Sequence, residues 1–314
     1  MPRCGLHVPH GTDYRRGVVY GTGHAVTADG RKPRPTGDAI MCRWVAYLGA
    51  PIFIEDFISR PIQSLVAQSL RSREAKTEVN ADGFGLAWYG ERQRPGVFRD
   101  IRPAWSDENL LSIAHQIRSR LFMAHVRAST GTATTRANCH PFVVEHRLFM
   151  HNGQVPGWDK LRRRIESTIP DDLFMHRGGT TDSEALFLLM IANGLADDPL
   201  RAVGDTLAFV EAEMRAAGID APVKMTAAIS DGATLHAVRY ATDGNPPTLY
   251  TQACCPDGGT LVTSEPLDDL REGWTPVPPQ SFVTVTAGEV QVTPFIVPKP
   301  NTASCRAVNV EAQA

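Results

Sequence analysis

Several short stretches of this chain carry side chains that could act together on a carbonyl compound. They are Cys42 after Met41, Arg127 with Ser129 and Thr130, Cys139-His140-Pro141, His151-Asn152-Gly153, and Asp182. A thiolate attacks a carbonyl carbon and forms a thioester. An amide NH2 and a backbone N–H, which Asn152 and Gly153 could supply, stabilise the resulting oxyanion. A guanidinium such as Arg127 can clamp a carboxylate through two parallel hydrogen bonds, and a carboxylate such as Asp182 can receive an ammonium. These types suit hydrolysis of an amino-acid side-chain amide. With Cys42 as the first residue of a mature chain, thiol and α-amine share one carbon. The amine (about 7.7–8.0) is then close enough in pKa to the thiol (about 8.5) to take its proton near neutral pH.

Each cluster also has a structural alternative. Asn-Gly is first of all a turn dipeptide. Asp182 follows Thr181 at the start of an apolar helix, where it could serve as the N-cap. An arginine at a strand end is usually solvated or ion-paired, His140 before a proline is often a packing histidine, and most cysteines are small buried hydrophobes. Types and spacing alone leave a cysteine hydrolase and a set of caps and turns both open.

The elements that must position these residues read as strands, then helices, then strands. Val45 to Leu48 open an apolar strand. Pro61 to Ser72 reads as a helix with Leu65 and Leu70 inward, and Asp107 starts another with Leu110, Leu111, Ala114 and Ile117 on one face. Asn80 to Gly90 is a turn feeding a glycine-containing strand, and residues 96–102, 121–127 and 142–150 read as strands, the last broken at His151-Asn152-Gly153. Helices follow over 156–168, 181–193 and 199–217. From Val223 onward the pattern is strands at 223–230, 234–240, 248–252, 260–264, 281–287 and 289–295, separated by turns such as Asp243-Gly244. This is an α+β pattern with antiparallel sheets, without the βαβ alternation, GxGxxG turn or Walker A sequence of nucleotide-binding folds.

Composition narrows the partners. The chain has 314 residues, 42% hydrophobic and 21% charged, with formal net charge −2. That near-neutral balance argues against nucleic acid or an anionic membrane as the main partner. The longest apolar run, Ala185 to Ala192, is far short of the ~20 residues that span a bilayer, and no secretory pattern opens the chain. Six cysteines without CxxC spacing give neither a zinc ribbon nor a disulfide framework. The expected compartment is therefore the cytosol, with no metal and no cofactor. Cys254-Cys255 reads as a strand-end pair. Residues 1–41 are rich in Gly and Pro, include Arg31-Lys-Pro-Arg-Pro35 and lack apolar periodicity, so they read as a disordered extension. It is expected to be a misassigned start with Met41 as initiator, a cleaved pro-segment, or an attached arm that leaves Cys42 without a free amine. Residues 298–314 read as a disordered tail.

Six motifs occur in the order of the class II glutamine amidotransferases. They are Met41-Cys-Arg43, Asn80-Ala-Asp-Gly-Phe-Gly85, Ala124-His-Val-Arg-Ala-Ser-Thr130, Asn138-Cys-His-Pro-Phe142, Phe149-Met-His-Asn-Gly153 and Thr181-Asp-Ser-Glu184. The chain looks closest to the stand-alone YafJ-type branch, similar to the γ-glutamyl hydrolase of ergothioneine synthesis and to glutathione-degrading amidotransferase-like proteins. Val262 to Pro266 and Trp274 to Pro279 resemble the late part of that branch. The resemblance covers roughly residues 42–297 and implies an N-terminal-nucleophile hydrolase αββα sandwich, two antiparallel sheets between helical layers. It implies Cys42 as nucleophile with its own α-amine as base, Asn152 and Gly153 as oxyanion hole, and Arg127 and Asp182 as holders of a γ-glutamyl group. His140 lies where the family keeps a histidine near the site, and is expected to support substrate binding. The implied activity is γ-glutamyl amidohydrolysis through a Cys42 thioester, on a small-molecule γ-glutamyl substrate. A separate partner enzyme using the ammonia or product, a γ-glutamyl-thiol peptidase needing a partner, and a non-catalytic ligand-binding member are the alternatives.

Overall fold

The computed structural model describes residues 42–72, 79–128, 132–254, 258–269 and 273–298. Expectations for residues 1–41 and 299–314, and for Ser129, Thr130 and Cys255, fall outside them. In chain order the elements are β1 (Arg43–Phe53), α1 (Glu55–Ile58), α2 (Leu65–Leu70), β2 (Phe84–Trp88), β3 (Gly96–Asp100), α3 (Glu108–Gln116), β4 (Arg118–Val126), β5 (Phe142–Val144), β6 (Arg147–Gln154) and α4 (Trp158–Glu166). There follow α5 (Asp171–Phe174), α6 (Asp182–Ala192), α7 (Pro199–Ala216), β7 (Lys224–Ser230), β8 (Leu235–Ala241), β9 (Tyr250–Cys254), β10 (Gly259–Thr263), β11 (Thr275–Pro276), β12 (Ser281–Thr286) and β13 (Glu289–Pro294).

The strands form two antiparallel sheets. The first has the order β11-β9-β10-β1-β4-β2-β3 and the second β13-β12-β8-β7-β6-β5. The period-2 geometry of a strand explains how they stack. In β1, Trp44, Ala46 and Leu48 face one way, and in β4 so do Leu121 and Met123. These pack against Leu148 and Met150 of β6 and Ala228 of β7 in an apolar layer between the sheets. The alternate set, Val45, Tyr47, Phe122, Ala124 and Val126, packs outward against Phe57, Leu65, Leu110 and Ala114 of α1 to α3. On the far side Phe149, Met225, Ala227 and Ile229 pack against α4, α6 and α7. Helix, sheet, sheet, helix is the sandwich the motifs imply. Both faces of the central strands are covered, which is why they read as nearly continuous apolar runs. Helix α6 is buried all round from Ala185 to Met190, the pattern of a helix enclosed by its neighbours. Among the described residues, no helix is long and apolar enough to cross a membrane.

Several sequence expectations need correction. The strand expected over 142–150 is a hairpin, β5 and β6, turned at Glu145, where φ is 55°. Asn152-Gly153 does not end the second strand. It continues through both residues, pairing Asn152 with Thr226 and Gly153 with Met225. Helix α2 is shorter than read because Ser64, not Pro61, caps it, its hydroxyl accepting from Ala67 N at 3.2 Å. Leu70 and Leu111 point outward, while Leu65, Leu110 and Ala114 are buried. Thr181 rather than Asp182 is the N-cap of α6, accepting from Glu184 N.

Candidate active site

Cys42 lies immediately before β1. The pairing of Arg43 with Val126 sets it beside the last residues of β4. Among the described residues, the hydrogen-bond partners of its Sγ are the N–H and C=O of Ala128, at 3.3 and 3.4 Å. Burial pushes the Cys42 thiol up from its ordinary value, opposed by the Ala128 N–H and by the nearby guanidiniums of Arg127 and Arg43. The Cys42 carbonyl is held twice, by Asn152 Nδ2 at 2.5 Å and by Arg43 Nη1 at 3.0 Å. Arg43 is itself anchored by Glu265 at 2.8 Å, both side chains almost fully buried. The residue carrying the sulfur is thus immobilised through its backbone.

Asn152 reaches Cys42 from the opposite sheet. It shares strand parity with Leu148 and Met150 and so points between the sheets, toward β1 and β4. Gly153, next along β6, is exposed and has φ 143°. A Cβ there would sit 1.8 Å from the Lys224 carbonyl oxygen and 2.6 Å from His151 Nε2. Only glycine fits the β6–β7 pairing at this point. Gly153→Ala is expected to lower stability by about 2–3 kcal/mol, read as a shift in the urea midpoint. An unshifted midpoint would mean that β6 and β7 separate there freely.

Arg127 and Asp182 belong to opposite layers, joined by a chain of hydrogen bonds. Arg127 Nη2 donates to the Thr132 hydroxyl at 2.5 Å and Nη1 to the Ala133 carbonyl at 3.3 Å. Asn138 Nδ2 donates to that same Ala133 carbonyl at 2.8 Å, and Asn138 Oδ1 accepts from Thr180 N at 2.8 Å. Thr180 leads into the α6 N-terminus, where Asp182 Oδ2 accepts from Val155 N at 2.7 Å, just past β6. Asn138 therefore ties the Arg127 loop to the Asp182 helix. Its motif was legible in the sequence, its bridging role was not.

Three buried histidines, His125, His140 and His151, lie near Asn152, and one of them contacts its side chain. His125 Nε2 lies 3.1 Å from Asn152 Oδ1. The His140 ring lies against His125 at a 33° tilt, with centroids 4.3 Å apart, and meets Phe142 edge-on. His140 thus lies behind His125, with no hydrogen bond to Cys42, Arg127 or Asp182 among the described residues. His151 faces the other way and bonds Ser183 Oγ at 3.0 Å. His125 was missed as a site residue. The signal for it was parity, a polar residue on the inward face of β4, two before Arg127.

Burial pulls all three below the ordinary histidine value, His125 to about 3, His140 well below it, and His151 against the opposing pull of Asp182. The native state keeps them neutral while the unfolded chain protonates them near pH 6.5. Between those values the unfolded state binds more protons, so stability falls as pH falls. Each is expected to contribute up to about 1.4 kcal/mol per pH unit below pH 6.5. Denaturant midpoints at pH 7.5 and 5.5 should show this, and His140→Phe should flatten the slope. A midpoint independent of pH would contradict the neutral assignment.

The family model of the class II glutamine amidotransferases matches residues 60–243, which include Arg127, His140, Asn152, Gly153 and Asp182. The chain is 30% identical to the probable glutamine amidotransferase DUG3 of Saccharomyces cerevisiae, across 82% of this chain and 85% of that one. It is 31% identical to the γ-glutamyl-hercynylcysteine sulfoxide hydrolase of Mycolicibacterium smegmatis, across 81% of this chain and all of that one. A solved class II domain protein from Silicibacter pomeroyi superposes with TM-score 0.65 at 38% identity, over 81% of this chain and all of that one. The phosphoribosylpyrophosphate amidotransferase of Bacillus subtilis, at 14% identity and TM-score 0.56, shares the fold over 82% of this chain and half of its own length. With its motifs, its sandwich and its relatives in agreement, the chain belongs to the class II glutamine amidotransferases.

Proposed function

We propose that the chain, once it begins at Cys42, hydrolyses the γ-amide bond of a γ-glutamyl compound through a thioester on Cys42. The observation that carries this reading is the convergence of Asn152 from one sheet and the Cys42 backbone from the other. Nδ2 bears two protons, and the Cys42 carbonyl takes one. The other is available to a tetrahedral oxyanion on a carbonyl attacked by Sγ, with the N–H of Gly153, an exposed residue, as the second donor.

A base is needed because burial disfavours the thiolate. Among the described residues, no imidazole or carboxylate bonds Sγ, so the α-amine of a processed Cys42 fills the role. The amine takes the thiol proton, and the sulfur attacks the γ-carbonyl. The tetrahedral intermediate collapses, and the leaving amine departs with that proton. Water then cleaves the thioester, releasing glutamate and restoring the thiol. Arg127 holds the substrate carboxylate. The Thr132 hydroxyl, 2.5 Å from Nη2, occupies the kind of position a carboxylate oxygen takes. Asp182 receives the ammonium. A chain that keeps residues 1–41 has an amide in place of the amine and is the inactive form.

One relative is named for glutamine and another for γ-glutamyl-hercynylcysteine sulfoxide, compounds that have a γ-glutamyl group in common and differ in what is bonded to it. The test is glutamate release from glutamine, glutathione and a γ-glutamyl-cysteine sulfoxide by the chain beginning at Cys42. Turnover of at least one without a second protein is expected. No release from any of them, or release only with a partner subunit, would overturn the stand-alone hydrolase reading.

A further inference from the structure

The Asn152 amide can sit either way round, and only one way presents its NH2 to Cys42. The Cys42 carbonyl is an acceptor, so the group 2.5 Å from it is Nδ2, a donor. Oδ1 then faces His125 Nε2 at 3.1 Å, and since Oδ1 can only accept, Nε2 carries the imidazole proton. His125 Nδ1 is left without a proton and, among the described residues, without a hydrogen-bond partner; the ring's other polar neighbour is the His151 backbone. Its Nε2 lies within hydrogen-bonding reach of Asn152 Oδ1. Behind it lies His140, whose ring is tilted 33° against that of His125 and whose two ring nitrogens have no hydrogen-bond partner among the described residues. His125 and Asn152 are each 1% exposed, so water cannot substitute for either.

We infer that His125 is a positioning residue for the oxyanion hole: its Nε2–H holds the Asn152 amide in the one orientation that offers NH2 to the nucleophile and the developing oxyanion, and His140 holds the His125 ring in place. His125 touches neither substrate nor sulfur in this role. Without the donor, the amide can rotate by half a turn and present its oxygen toward an oxyanion, which is repulsive. The effect falls on the transition state, so it appears in kcat and leaves KM nearly unchanged.

This inference rests on the proposed function, and a double-mutant cycle keeps the two apart. In the chain beginning at Cys42, His125→Phe is expected to lower kcat about 10- to 100-fold, with KM within about twofold. His125→Gln, whose amide NH2 can donate to Oδ1, is expected to recover most of that loss. In an Asn152→Ala background, His125→Phe is expected to cost less than about threefold more, because the group it positions is gone. Unchanged kcat in His125→Phe would overturn the inference, as would equal losses with phenylalanine and glutamine, or a loss that repeats in full on Asn152→Ala. Should His125→Phe not fold, His125→Leu, which also removes the donor, compared with and without Asn152 decides the same question. If Asn152→Ala alone keeps full activity, the oxyanion reading itself fails.

Discussion

Cys42→Ala, in a chain that begins at residue 42, is expected to lose γ-glutamyl hydrolysis by on the order of 10⁶-fold, the scale on which removal of a covalent nucleophile acts. The fold gives a reason to expect this loss without unfolding. Cys42 is half-buried, precedes β1 rather than sitting in the core, and contributes its sulfur only to the Ala128 backbone among the described residues. Its carbonyl remains tied to Asn152 and Arg43 after the substitution. The midpoint of unfolding is therefore expected to move by less than about 1 kcal/mol, a typical size for loss of one weak hydrogen bond. Steady-state release of glutamate measures the activity. Activity within tenfold of the parent would remove Cys42 from the chemistry.

Asn152→Ala is expected to lower kcat about 10²- to 10³-fold, the usual cost of one oxyanion donor. The substitution also removes the buried Oδ1 partner of His125 Nε2 and leaves the Cys42 carbonyl to Arg43 alone. A stability loss of about 1–3 kcal/mol should accompany it. Asn152→Asp is expected to be worse in turnover. A carboxylate cannot donate to the Cys42 carbonyl, and its charge opposes an oxyanion. Measuring kcat and KM together separates this from a binding defect, since Arg127 and Asp182 are untouched and KM should stay within a few-fold. A rise in KM with constant kcat would place Asn152 in ground-state binding instead.

Much of this architecture was legible because each strand's two faces are covered by different layers. The alternation of Trp44, Ala46 and Leu48 with Val45 and Tyr47 encodes both at once. What misled was local chemistry overridden by pairing. Asn152-Gly153 has the composition of a tight turn, yet β7 pairs with it residue for residue, and the glycine serves the close approach of the Lys224 carbonyl. Leu70 looked inward because a longer helix was assumed, whereas α2 spans only Leu65–Leu70; Leu111 lies on α3, whose buried stripe is narrowed to Leu110 and Ala114. The motifs named the residues of the candidate site but not how they meet. Nothing local shows that His125 and Asn152 share a hydrogen bond. Each is a polar residue at an inward position of its own strand, and the contact exists only because the two sheets stack. His140 was read toward the substrate, whereas its ring packs behind His125.

The proposed chemistry depends on Cys42 acting as a free N-terminal nucleophile. The most direct measurement is the intact mass of the active protein after reaction with a glutamine analogue that carries a chloromethyl ketone in place of the γ-amide, with the modified residue then located by fragmentation. The expected result is a chain that begins at Cys42, with one adduct per chain on the Cys42 sulfur and activity lost in proportion. An active chain that retains residues 1–41, or an adduct on another residue with activity lost alongside it, would contradict it.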